Sequence, residues 1–275
     1  MAAASSSSCV AFIGGGNMAS ALIGGLLQSG HAGDAIVVVE PVDAQAERLR
    51  ARFGVRVLPE AGPALAQAAL VVWAVKPQLF REAAAPCAPH VHHAVQLSVM
   101  AGIRSGALCA ATGSARVVRA MPNTPALVGR GMTGLFASPQ VSAAERSAVD
   151  RLLAPTGEVL WLDDETQLDA VTALSGSGPA YVFYFVEAMM RAGVELGLSA
   201  EQARRLALGT FSGAAALAAQ STDAPQVLRA NVTSKRGTTH AAITTLEERG
   251  VMDAFVAALH AAARRARELG DEFGG

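Results

Sequence analysis

The chain has 275 residues, enough for two modest domains. Its 22 lysines and arginines balance 23 aspartates and glutamates, a formal charge of -1, so nothing in the charge recommends nucleic acid or an acidic membrane as a partner. Hydrophobic residues make up 51% and aromatics only 5%, which points to closely packed aliphatic helices, while the scattered Cys9, Cys87 and Cys109 form neither a metal spacing nor an even disulfide set.

Ser5, Ser6, Ser7 and Ser8 precede a short apolar segment without a basic n-region, so the start of the sequence reads as a frayed tail rather than a signal peptide. The longest apolar run, residues 179–190, is interrupted by Glu187 and is too short to span a bilayer. A reducing, cytoplasmic setting follows as the expectation.

Residues 10–13 read as a strand that breaks into Gly14, Gly15 and Gly16 and resumes through Asn17, Met18 and Ala19 as a helix over 17–28. Gly14, Gly16 and Ala19 have the spacing of the dinucleotide fingerprint: a tight turn, room for a pyrophosphate beside the backbone, and close packing of helix on strand. The helix N-terminus offers its free N–H groups to the phosphates. A second strand, 36–39, ends at Glu40, where a dinucleotide fold places the acid that accepts from the adenosine ribose hydroxyls. That favours NAD over NADP, although Arg48 and Arg50 on the next predicted helix are within reach of a 2′-phosphate.

The alternation continues with strands over 55–58, 70–75, 94–99 and 116–120, a short helix near Ala64, a strand at 133–136, a helix over 142–153 and a strand at 159–162. Alternating strands and helices imply a parallel sheet whose ligands sit outside the carboxyl ends of the strands. Gly14, Gly16, Asn17, Glu40, Lys76, Ala101, Asn123 and Thr124 all fall at such ends. The fold class is therefore α/β: a Rossmann-type parallel-sheet domain over residues 1–163, followed by an all-helical domain over 164–275.

The second half opens with a helical run to Leu174, then Ser175, Gly176, Ser177, Gly178, Pro179 and Ala180, and a helix from Tyr181 that is apolar nearly all round and suits a core or a subunit interface. Glu187 and Arg191 make an i,i+4 pair on its least apolar side. Ser199 and Gln202 form a capping box at the start of a helix running to about 220. After a short helix near 225–230 comes Asn231, Val232, Thr233, Ser234, Lys235, Arg236, Gly237, Thr238 and Thr239, then helices to Glu248 and from about 253 to 269. Hydroxyls, a glycine and a basic pair ahead of a helix suit a small anion such as a carboxylate, or serve only as a helix cap. His90, His92 and His93 have no known metal-ligand spacing and read as a solvated loop, and no metal site is expected.

A dinucleotide domain joined to a carboxylate cradle suggests hydride transfer to or from a small acid, without distinguishing C=O from C=N chemistry. The strings Ala74-Val75-Lys76-Pro77, Met121-Pro122-Asn123-Thr124-Pro125, Ser175-Gly176-Ser177-Gly178-Pro179-Ala180 and residues 231–239, with the glycine loop before them, resemble the pyrroline-5-carboxylate reductase family over essentially the whole chain after the serine-rich tail. The resemblance implies reduction of 1-pyrroline-5-carboxylate to L-proline with NADP or NAD as cofactor. It also implies an interleaved homodimer, often assembled into a decamer.

By motif, the cofactor would meet Gly14, Gly16, Asn17, Met18, Ala19, Val75, Lys76 and Ala101, and the substrate carboxylate would meet Ser234, Gly237, Thr238 and Thr239 across the dimer. Thr124, Ser175 and Lys76 are the catalytic candidates: a hydroxyl or solvent protonates the imine and Lys76 places cofactor or substrate. Arg236 stands where the family loop usually has a first glycine. If that position has positive φ, arginine there costs on the order of 1 kcal/mol and lowers substrate affinity. Alternative readings are an imine reductase, an enzyme of the 6-phosphogluconate dehydrogenase type, and a non-catalytic dinucleotide sensor.

Overall fold

The computed structural model describes residues 8–273, so most of the expected serine-rich tail lies outside the described residues. Eight strands, β1 (Val10–Ile13), β2 (Ile36–Val39), β3 (Arg56–Leu58), β4 (Leu70–Trp73), β5 (Val95–Ser98), β6 (Val117–Met121), β7 (Gly131–Ala137) and β8 (Gly157–Trp161), form one sheet in the order β3-β2-β1-β4-β5-β6-β7-β8. The first six follow the doubly wound order of dinucleotide folds. Every neighbouring pair is parallel except β6 with β7, which are antiparallel.

Helices α1 (Asn17–Gln28), α2 (Asp43–Phe53), α3 (Phe80–Val91), α4 (Ser105–Thr112) and α5 (Ala143–Leu153) cover the sheet. Alternate strand residues feed two cores. Phe12, Val38, Val72 and Leu97 pack with Leu22, Ile23 and Leu152 on one face, and Ile13, Val71 and Trp73 pack with Phe80, Ala84 and Leu108 on the other. Burial on both faces explains why β1, β2 and β4 are continuous apolar runs rather than alternating ones. The buried amide of Gln96 is fully engaged, accepting from Trp73 Nε1 at 2.8 Å and donating to the carbonyls of Val91 and Ala94 at 2.8 and 3.0 Å.

After β8 come α6 (Gln167–Val171), a π-turn over Thr172–Gly176, α7 (Gly178–Glu195), α8 (Ala200–Gln220), α9 (Pro225–Asn231), α10 (Thr238–Glu248) and α11 (Val251–Phe273). The chain forms two compact units: one runs through Ser177 and takes in the residues from Ala262 onward, and the other is Gly178–Ala261. In the second unit α7 and α8 approach so closely that a Cβ on Gly193 would stand 2.9 Å from Ala203 Cβ. Phe255 packs edge-on against Tyr181 and Phe185, with ring centres 5.6 and 5.7 Å away. The capping box at Ser199 and Gln202 forms as expected. Arg191, however, pairs with Glu195 at 2.8 Å rather than with Glu187. Phe183, Tyr184 and Leu217 are exposed in the single chain, the pattern of a surface that associates. Among the described residues no helix is long and apolar enough to cross a membrane.

Candidate active site

The register brings four strand ends level, since Ile13 pairs with Val39 and Trp73 and Trp73 with Ser98, while Ser98 pairs with Arg119, two residues before the end of β6. Gly14, Glu40, Lys76, Ala101, Asn123 and Thr124 therefore follow one another along a single edge of the sheet.

At that edge Gly14 has φ +94°, and a Cβ there would lie 2.9 Å from both the Ala74 carbonyl oxygen and Val75 Cγ1. Only glycine fits a turn pressed this closely against the next strand's exit. Gly16 is the opposite case, with open space where a Cβ would be, next to the exposed start of α1 at Asn17. The loop thus presents bare backbone and a helix N-terminus, which fits a pyrophosphate. Ala19 is fully buried, and Met18 packs at the core's margin.

Glu40 is nearly buried at 9% exposure, and neither carboxylate oxygen is idle: Oε2 accepts from the Gly15 N–H and Oε1 from the Val42 N–H, both at 2.9 Å. Gln45 Nε2 donates to the Gly15 carbonyl at 2.6 Å, so the Gly15 peptide is held from both ends. Sequence reasoning placed Glu40 at the site but missed this support, because nothing in the spacing marks Gln45. Of the two arginines offered for a 2′-phosphate, Arg50 is committed to the Val57 carbonyl at 3.0 Å, whereas Arg48 lines a groove of about 500 Å³ with Asn17, Gln45 and Arg52.

Lys76 is exposed and starts the Pro77–Leu79 turn beyond β4, and Thr124 is exposed at the start of the Thr124–Val128 turn beyond β6. Asn123 ties this edge together. Its Nδ2 donates to the Ser175 carbonyl and Oγ at 3.2 Å, while its Oδ1 accepts from the Met132 N–H at 3.0 Å. Ser175 lies inside the π-turn, where Ser177 N–H reaches back to Thr172 at 2.8 Å. Such turns are frequent at functional sites, and the glycine-rich sequence had suggested a break in the helix here.

At the start of α4, just after the Ala101 loop, Glu165 accepts from Ser105 N–H at 2.7 Å, from Ser105 Oγ at 2.5 Å and from Arg119 Nη1 at 2.8 Å. Burial pushes its carboxyl up, but these donors outweigh it and hold the group below the usual carboxylate range.

The second candidate loop turns at Ser234, whose carbonyl accepts from the Gly237 N–H at 3.0 Å. Arg236 has φ +61°, so the condition set by the sequence is met: an arginine occupies a left-handed position. A Cβ on Gly237 would stand 2.5 Å from Ser234 Oγ, so this glycine lets the hydroxyl lie against the start of α10, where Thr238 and Thr239 form the first turn. His90 lies in the last turn of α3 and His92 caps it, so the first of the three is helical rather than in a loop. Among the described residues no group of three or more histidines, cysteines and acids is placed to hold a metal ion.

A doubly wound sheet with an open glycine turn, and hydroxyl, amide and amine side chains along the same edge, defines a dinucleotide-dependent oxidoreductase. Residues 9–102 match the family described as NADP oxidoreductase, coenzyme F420-dependent, and residues 165–269 match that described as pyrroline-5-carboxylate reductase dimerisation. The pyrroline-5-carboxylate reductase of Pseudomonas aeruginosa is 45% identical over 267 residues, covering 96% of this chain and 98% of that protein. That of Haemophilus influenzae is 39% identical over 266 residues, 94% of this chain and 97% of the other. Among solved structures, the Coxiella burnetii pyrroline-5-carboxylate reductase superposes with a TM-score of 0.89 at 35% identity over 96% of this chain and 98% of its own. The Plasmodium falciparum pyrroline carboxylate reductase with NADP bound gives 0.86 at 27% identity, covering 95% and 98%. The chain belongs to the pyrroline-5-carboxylate reductase family.

Proposed function

We infer that the protein reduces 1-pyrroline-5-carboxylate to L-proline with NAD(P)H, the last step of proline biosynthesis. The observation that carries this is the sheet edge itself: a dinucleotide turn at Gly14 and Gly16, with Lys76, Ala101 and Thr124 in the segments that follow β4, β5 and β6, and Ser175 bonded to Asn123. Gly14, Gly16, Asn17, Met18 and Ala19 hold the pyrophosphate, Glu40 faces the adenosine ribose, and Val75, Lys76 and Ala101 line the rest of the cofactor. The bound reduced nicotinamide supplies the hydride.

The chain's own task is to hold the imine carbon over that donor and keep water away. Ser234, Gly237, Thr238 and Thr239 take the substrate carboxylate, an assignment supported by the close approach of Ser234 Oγ to the start of α10. The imine accepts hydride once protonated, and the proton comes from solvent or from the Thr124 or Ser175 hydroxyl. Lys76 places cofactor or substrate. Thr124→Ala or Ser175→Ala should shift the pH–rate profile if that hydroxyl is the donor; unaltered profiles in both would leave solvent as the acid.

Glu40 favours NADH, because a 2′-phosphate would meet a nearly buried carboxylate whose oxygens are fixed by two N–H groups. Residues 1–163 act as the cofactor domain and 164–275 as the dimerisation and substrate domain of a cytoplasmic homodimer, built further into a decamer. The exposed apolar side chains of α7 and α8 support the dimer. Steady-state oxidation of NADH and NADPH with the cyclic imine tests the assignment.

A further inference from the structure

We propose that the end of α11 is a positioning clamp for the cofactor loop after β5, with Gly270 and Asp271 as its positioning residues. The proposal rests on the reading of Ala101 as a cofactor contact.

The loop over residues 99–104 leaves the sheet at the level of Trp73 and turns at Gly102, which has φ +78°. Its outer wall is not another loop but helix backbone. A Cβ on Gly102 would lie 3.0 Å from the Leu269 carbonyl oxygen and 3.4 Å from Gly270 N. The contact is reciprocal: a Cβ on Gly270 would lie 3.2 and 3.3 Å from Arg104 Nη2 and Nε, so the guanidinium lies across this glycine. Arg104 ends in an ion pair with Asp271. One turn on, Phe273 packs against the core that contains Met100 and Ile103.

Gly102 lets the loop backbone press against the helix backbone at Leu269, and Gly270 leaves the room that the Arg104 guanidinium fills. The end of the loop is fixed as well, since Glu165 accepts from both donors of Ser105 and is itself paired with Arg119. The stretch that follows residue 101 is therefore held at two points, Gly102 and Ser105, by residues distant in sequence. An exposed ion pair contributes little by itself. The weight falls on the Gly102–Leu269 backbone contact and on Arg104 lying across Gly270, and a side chain at position 270 would push the guanidinium, and with it the loop, away from the helix.

The test compares wild type with Gly270→Leu and with a chain ending at Glu268, measuring KM for NADH, KM for the imine, kcat and the melting temperature. The clamp predicts a cofactor KM at least fivefold higher in Gly270→Leu, with the imine KM within twofold and a melting temperature close to wild type. The shortened chain should show a larger shift in the same direction. A cofactor KM within twofold of wild type in Gly270→Leu would overturn the proposal. So would an equal fall of every parameter together with the melting temperature. If wild type fails to turn over the imine, the reductase reading falls instead. Direct titration of NADH into the same variants then decides the clamp by the same fivefold criterion.

Discussion

The two loops assigned to anions solve the same problem with different residues. At Gly14 the left-handed backbone, the crowded Cβ position and the glycine coincide, so the turn forms without strain. In the loop before α10 they are separated: Gly237, which has the crowded position, has an ordinary φ of -82°, while the left-handed position falls on Arg236. A residue outside its preferred backbone region stores on the order of 1 to 2 kcal/mol. The loop proposed for the cofactor is thus built without strain, and the loop proposed for the substrate carries strain beside its hydroxyls, as functional sites often do.

The sharpest way to break this contrast is to give the first loop what it lacks. Gly14→Ala combines a left-handed backbone with a Cβ 2.9 Å from the Ala74 carbonyl, and NADH affinity should fall about tenfold to a hundredfold. A titration within twofold of wild type would show that the turn tolerates strain after all. Gly237→Ala acts on the other loop by crowding alone. Its Cβ would meet Ser234 Oγ at 2.5 Å, so the imine KM should rise by about tenfold while the NADH KM holds. Adding Ser234→Ala should relieve the clash without restoring substrate affinity.

Glu40→Gln probes the support beneath the cofactor loop. An amide has one oxygen where two N–H donors now find carboxylate oxygens. The loss of a hydrogen bond to a charged acceptor is about 1.5 kcal/mol or more, so kcat/KM for NADH should drop roughly tenfold and the NADH-to-NADPH ratio should fall with it. An unchanged NADH value would reduce Glu40 to a reader of the ribose. The smallest effect belongs to Arg236→Gly, which removes the strain directly. The imine KM should decrease by about threefold, the equivalent of a fraction of the stored strain. An unchanged or weaker affinity would mean that Arg236 instead adds a donor for the carboxylate.

Much of this is legible in the sequence alone. The apolar runs of β1, β2 and β4, the Ser199 and Gln202 capping box, and the stops at Glu248 and Gly250 are local signals that tertiary structure obeys. Residues 80–91 were less readable, since Pro86 and Pro89 argue against a helix. They form α3 nonetheless, because Phe80, Ala84, Cys87 and Val91 fall on one buried face. Burial raises the Cys87 thiol to a pKa of about 11, in keeping with a packing role. The π-turn at Ser175 was hidden because serine and glycine read as a loop, whereas Asn123 holds them in a wound helix from the turn after β6, more than fifty residues earlier. The antiparallel step from β6 to β7 is likewise a matter of pairing between distant segments, which composition and periodicity do not encode. In the site, glycine positions were readable from spacing. The hands that steady them, Gln45 for Gly15 and the end of α11 for Gly102, became visible only as distances.

The reductase assignment is tested most directly by following the oxidation of NADH and of NADPH by the purified protein, each with 1-pyrroline-5-carboxylate and with a 2-keto acid. Turnover with the cyclic imine alone, faster with NADH than with NADPH, is the expected result. Cofactor binding without turnover of either compound would contradict it and leave the strained loop at Arg236 as the mark of a dinucleotide sensor.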